Sequence, residues 1–148
     1  MTDAIDVLVI GTEPPCPRCD LLGILVKECA PANVELNLSH CAFDAEEATA
    51  LGKRLGRKIG TAKHVSKDAD IPMDWDAVYG LIEQQKASAR PDCRPADLWT
   101  AELDALLRPC GEAAESTGYL MTPVLVVNGE VVHHGSIPSR GQIMGWLS

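Results

Sequence analysis

The sequence predicts an α/β fold with the order β-α-β and then β-β-α, interrupted by an inserted helical subdomain. Three observations predict it. Residues 1–42 read as strand, helix, strand; residues 116–148 read as a hairpin and a helix; and residues 43–115 carry apolar positions at helical spacing. Together they describe a single domain of 148 residues, with a core from 1–42 and 116–148 around an insertion at about 43–115. That length is enough to bury a core without covalent staples.

"DVLVIGT" is a short apolar run ending in glycine, suited to a strand covered on both faces. Pro17 fits the first position of a helix, where no backbone N–H is needed. Leu21, Leu22, Leu25 and Val26 then form an apolar face, and "CAPAN" ends it. In "NVELNLSH", Val34, Leu36 and Leu38 alternate in the strand period of two. A strand–helix–strand of this length makes a parallel pair through a right-handed crossover.

Near the C-terminus, "TPVLVV" and "EVVHH" flank Asn128-Gly129, the favoured type I′ hairpin turn. Ser139 and Gln142 are spaced as a capping box, and Ile143, Trp146 and Leu147 give the last helix its apolar face. In the middle, Asp44 and Glu47 resemble a capping pair, and Ala48, Leu51, Leu55 and Ile59 recur at helical spacing. The polar stretch "GTAKHVSKDAD" follows. Pro72 opens a second helix through Trp75, Val78, Leu81 and Ile82. Pro95 opens a third through Leu98, Leu103, Leu106 and Leu107; Pro109 interrupts it, and a short helix runs on to Gly118.

The net charge of −8 argues against a nucleic-acid surface, which needs clustered Lys and Arg. No run approaches the roughly 20 apolar residues of a membrane span. The start, "MTDAIDVLVIG", has acidic residues where an export signal needs positive ones, so the expected location is cytoplasmic. Thiols there stay reduced, which makes a close cysteine pair catalytic or metal-binding rather than a staple.

Of six cysteines, Cys16 and Cys19 form such a pair in "EPPCPRCD". The attacking species in disulfide exchange is a thiolate, and an ordinary thiol, with a pKa of about 8.5, is mostly protonated at neutral pH. Pro17 starts a helix at Cys16, where unpaired N–H groups and the helix dipole favour an anion. Arg18 adds a positive charge. Cys19, one turn inward, is placed to attack a mixed disulfide on Cys16 and release the product. The same spacing also serves zinc half-sites, which need two further ligands. The chain has no second CxxC and no HxxxH, Cys93 and Cys110 lie far apart in sequence, and adjacent His133 and His134 point to opposite faces of a strand. A metal-binding or metal-delivery module therefore stands as the alternative, with a non-catalytic adaptor as a third reading.

The chain resembles thioredoxin-fold proteins, most closely the small thioredoxin-like proteins known as redox-active disulfide proteins. "VLVIGTEPPCPRCDLLGILVKE" and "GYLMTPVLVVNGEVVHHGSIPSRGQIMGWL" carry the resemblance, at both ends and not in the middle. It implies a cis Pro123 facing the cysteines, with Thr122 offering backbone to a substrate strand. It implies a thiol–disulfide oxidoreductase with no cofactor beyond the Cys16–Cys19 disulfide. A protein or small-molecule disulfide would be the substrate, and an enzyme such as a thioredoxin reductase the electron donor. The pattern departs in places. Pro15 stands where thioredoxins have tryptophan. Ile10 stands where they bury an acid that moves protons, leaving water or Glu13 to do so. "HHGSIP" has only Gly135 where glutaredoxins hold glutathione with two glycines. The middle resembles the insertion of DsbA-like oxidases.

A parallel second strand would bring His40 and Cys41 to the edge that carries Cys16, as an auxiliary histidine and thiol. The plainer reading is a buried small residue beside a surface histidine. Cys29 reads as core packing. Cys93 and Cys110 flank the third helix, and their default state is free.

Overall fold

A computed structural model describes residues 3–13 and 16–148; Pro14 and Pro15, and with them the tryptophan-to-proline departure, lie outside the described residues. β1 (Asp3–Gly11) lies at the centre of a four-stranded sheet. It pairs in parallel with β2 (Val34–Ala42) and antiparallel with β5 (Val124–Val127), which pairs antiparallel with β6 (Glu130–His134). The order is β2-β1-β5-β6. The crossover between the parallel strands is α1 (Pro17–Cys29), and α6 (Arg140–Leu147) closes the chain.

Alternation along β1 divides the core. Val7 and Val9 face Leu22 and Val26 of α1 and Ile143 and Leu147 of α6. Ile10 faces the other way, with Cys41 of β2 and with Ala48 and Leu51 of α2 (Glu46–Leu55). The hairpin forms as read: Asn128 and Gly129 have φ of 49° and 81°, the positive pair that a type I′ turn requires. Ser139 and Gln142 make a reciprocal capping box at the start of α6.

The middle holds four helices and a strand. After α2 come β3 (Lys58–Gly60), α3 (Ala62–Asp68), α4 (Trp75–Ser88), a 3-10 turn over Pro95–Leu98, and α5 (Ala101–Thr117); β4 (Tyr119–Met121) then leads to β5. This segment has its own core, in which Val65, Val78, Leu103, Leu107 and Cys110 meet Met121.

Five details differ from the sequence expectation. Ile59 does not extend the helix through Leu55, because Gly56 adopts φ 67° and its N–H caps α2. Residues 58–60 instead pair in parallel with β4. The cap of α2 is Ala45 without a side-chain bond, not the Asp44–Glu47 pair. The polar stretch contains α3, started by Thr61 with His64 folded back onto its N–H. Pro109 lies inside α5 without ending it, since Leu103, Leu107, Cys110 and Ala114 hold both halves against one core. Pro95 opens only the 3-10 turn, and α5 begins anew after Thr100.

Candidate active site

β1 ends at Gly11, and α1 begins six residues later with Cys16 as its N-cap and Pro17 at the first helical position. The Cys16 sulfur caps the helix itself, accepting from the Cys19 amide at 3.5 Å. The two sulfurs are 3.1 Å apart, and all six cysteines are free thiols. Cys16 is partly exposed; Cys19 is 1% exposed.

This asymmetry separates their acidities. A hydrogen bond from the Cys19 thiol, assisted by backbone N–H groups and the Arg18 charge, outweighs burial and lowers the Cys16 pKa from 9.0 to about 6. Cys19 is pushed up, first because its thiol proton is held by Cys16, then by burial and by the neighbouring negative charge; a backbone hydrogen bond from Thr12 opposes this. The pair therefore carries one anion, on the outer sulfur. Among its neighbours the leading support is Cys19, which the sequence reading did not name in that part, with the Arg18 charge a lesser one.

Arg18 is 5% exposed and is bound elsewhere. Its Nε donates to Asp104 Oδ1 at 2.9 Å and its terminal nitrogen to the Gly135 carbonyl. Asp104 also accepts from Trp99 Nε1 at 3.1 Å and from the Ile137 amide at 2.8 Å. One half-buried carboxylate thus fastens α1, α5 and the loop after β6 around the thiol helix. Asp20 adds a second tie, accepting from the Ala96 amide of the 3-10 turn at 2.9 Å.

The Thr122–Pro123 bond is cis. Val124 pairs with Ile10, so this bond sits at the sheet edge where β1 hands over to the thiol loop. The Thr122 amide donates to the Gly60 carbonyl at 2.9 Å, and Thr122 is 5% exposed. That donor is engaged within the chain, a consequence of β3, which the sequence reading had placed in a helix.

Residues 109–148 match the family model described as Thioredoxin domain. With the strand order above, that match over the last 40 residues supports a thioredoxin-like fold. The chain has a thioredoxin fold. No curated protein and no solved structure matches it.

Within the thioredoxin fold, His40 and Cys41 part company. His40 pairs with Val9 on the face that α1 covers, and its Nε2 lies 2.9 Å from the Thr12 carbonyl and 3.8 Å from Glu13 Oε2. Cys41 faces the opposite side, among Ile10, Ala48 and Leu51, so the pleat separates it from the thiol pair. Burial pushes the Cys41 thiol up, and Glu47 adds to it. Cys29, the last residue of α1, packs into the core. Cys110 of α5 is fully buried, while Cys93 lies just before the 3-10 turn that Pro95 opens. His133 bonds Ser136 and stacks on Trp146; His134 bonds Glu115 on the other side of the strand. Among the described residues, no group of three or more His, Cys, Asp or Glu comes together in a way that could hold a metal ion. None of their helices is long and apolar enough to cross a membrane.

The sequence reading missed Asp104, Gly11 and Gly60. An acid beside Leu103 in an apolar helix was a faint signal for the first. A β-carbon on Gly11 would stand 2.3 Å from the Cys19 sulfur, so glycine there admits the inner thiol.

Proposed function

We propose that the protein is a thiol–disulfide oxidoreductase that works by dithiol–disulfide exchange at Cys16 and Cys19. The observation that carries this reading is the sulfur pair at 3.1 Å, with the partly exposed member capping a helix and its pKa lowered to about 6. At neutral pH about nine-tenths of Cys16 would then be thiolate. The thiolate attacks a substrate disulfide, forming a Cys16–substrate bond while the first substrate sulfur leaves with the electron pair. Cys19 then attacks the Cys16 sulfur, closing the protein disulfide and releasing the second substrate thiol. The substrate gains two electrons and the protein loses two.

Cytoplasmic location and reduction by a separate donor such as a thioredoxin reductase belong to this proposal, as does the reductant direction. The test is insulin reduction with dithiothreitol as donor. Wild type should catalyse it, and Cys16→Ser should not. Cys19→Ser should accumulate a mixed disulfide detectable by mass. Undiminished turnover by Cys16→Ser would remove the proposal.

A further inference from the structure

We infer that His40 is the base that takes the proton from Cys19 when substrate is released, an inference that rests on the exchange reaction proposed above. The need for a base is chemical. Once Cys16 is tied up in a mixed disulfide, Cys19 must become a thiolate to attack it, yet Cys19 is 1% exposed and the β1 positions beside it, Val9 and Gly11, carry no titratable group. A buried thiol surrounded by apolar groups stays protonated unless a partner accepts the proton.

Two observations put His40 in that position. Gly11 has no side chain, and the β-carbon it lacks would lie 2.3 Å from Cys19 Sγ and 3.3 Å from His40 Cε1. Cys19 Sγ and the His40 ring therefore both lie close to the same point beside Gly11. The Thr12 peptide touches both partners as well: its backbone hydrogen-bonds the Cys19 sulfur, and its carbonyl lies 2.9 Å from His40 Nε2. A carbonyl only accepts, which assigns the ring proton to Nε2 and leaves Nδ1 as the basic nitrogen. A groove of about 230 Å³, lined by Cys19, Ser39 and His40, provides room for a bridging water. Glu13, exposed, lies 3.8 Å from the ring, and Asp20 and Lys27 of α1 line the same groove with opposite charges.

The step balances. The Cys19 proton passes to Nδ1; the Cys19 thiolate bonds to Cys16 Sγ; the Cys16–substrate bond breaks, and its electron pair leaves on the substrate sulfur, which takes a proton from water. His40 returns its proton to solvent.

The experiment uses an aromatic disulfide with an absorbing thiolate product, mixed with reduced protein in a Cys93→Ser background. The first equivalent released reports capture by Cys16, and the second reports release by Cys19. His40→Gln, which keeps a donor for Thr12, should lower the release rate about a hundredfold at neutral pH, the lower end of general-base effects. It should also change the pH profile of the release rate. Added imidazole should restore part of the rate in His40→Ala. Release by His40→Gln at the wild-type rate and pH profile overturns the assignment of His40 alone. No first equivalent from wild type overturns the exchange reaction too.

Discussion

Arg18 Nε donates to Asp104 Oδ1 at 2.9 Å, linking the residue between the two thiols to a carboxylate 86 positions later. The pair is nearly dry, with side chains 6% and 16% exposed. Asp104 spends its other lone pairs on Trp99 and Ile137. Such a pair adds little over a well-packed apolar substitute, yet removing one member strands the other charge. Asp104→Ala should therefore destabilise the protein by about 3–5 kcal/mol. Urea unfolding measures this, and a loss under about 1 kcal/mol would show that the network is slack.

The ranking of influences on Cys16 gives a second prediction. The Cys19 thiol bond leads, and the Arg18 charge comes after burial and a backbone bond. The iodoacetamide reaction rate of Cys16 should rise with pH to a plateau, with its midpoint near 6. Cys19→Ala should move that midpoint upward toward the ordinary thiol value, and Arg18→Met should move it less. A larger shift from Arg18→Met would return the leading part to the guanidinium.

How far the sequence could be read depended on the range of each interaction. The end segments were legible because alternation in Val34, Leu36 and Leu38, the Asn128-Gly129 turn and the Ser139–Gln142 box are local patterns. β3 was not, since three residues become a strand only through pairing with Tyr119–Met121. Its presence changes the surroundings of Thr122, whose amide it occupies. The Cys16–Cys19 proximity followed from helical spacing. Asp104, Gly11 and the His40 ring reach the thiols through tertiary packing, which no short-range pattern records.

Gly11 sets the distance between sheet and thiol helix, and an alanine there tests it. Its methyl would meet Cys19 Sγ at 2.3 Å and Cys19 Cβ at 2.8 Å, closer than real contacts allow. The helix start must shift or the thiol must rotate. Gly11→Ala should cost about 1–3 kcal/mol, as overpacking does, and should raise the Cys16 pKa by lengthening the 3.1 Å sulfur contact. Calorimetry reads the first effect and thiol titration the second. An alanine variant with wild-type stability and acidity would mean that the strand end yields freely.

His133 gives the last prediction, a pH dependence of stability. Its pKa is lowered, first by burial and then by the neighbouring His134 and by Arg18, against the opposing Ser136 bond and Asp104 charge. Its ring bonds Ser136 and stacks on Trp146, tying β6 to α6. With the folded value below the unfolded value of 6.5, both states hold the ring neutral above that pH, and the contribution is complete. As pH falls below it, the unfolded chain takes up the proton first, so stability drops until the folded pKa is passed. The oxidised protein isolates this effect, because the Cys16 thiolate, lost between the ordinary thiol range and about 6, no longer titrates. Urea midpoints at about pH 7.5 and about pH 5 should differ in wild type, and His133→Gln, which keeps a hydrogen-bonding group for Ser136, should narrow the difference. An equal difference in the variant would assign the acid sensitivity to other groups.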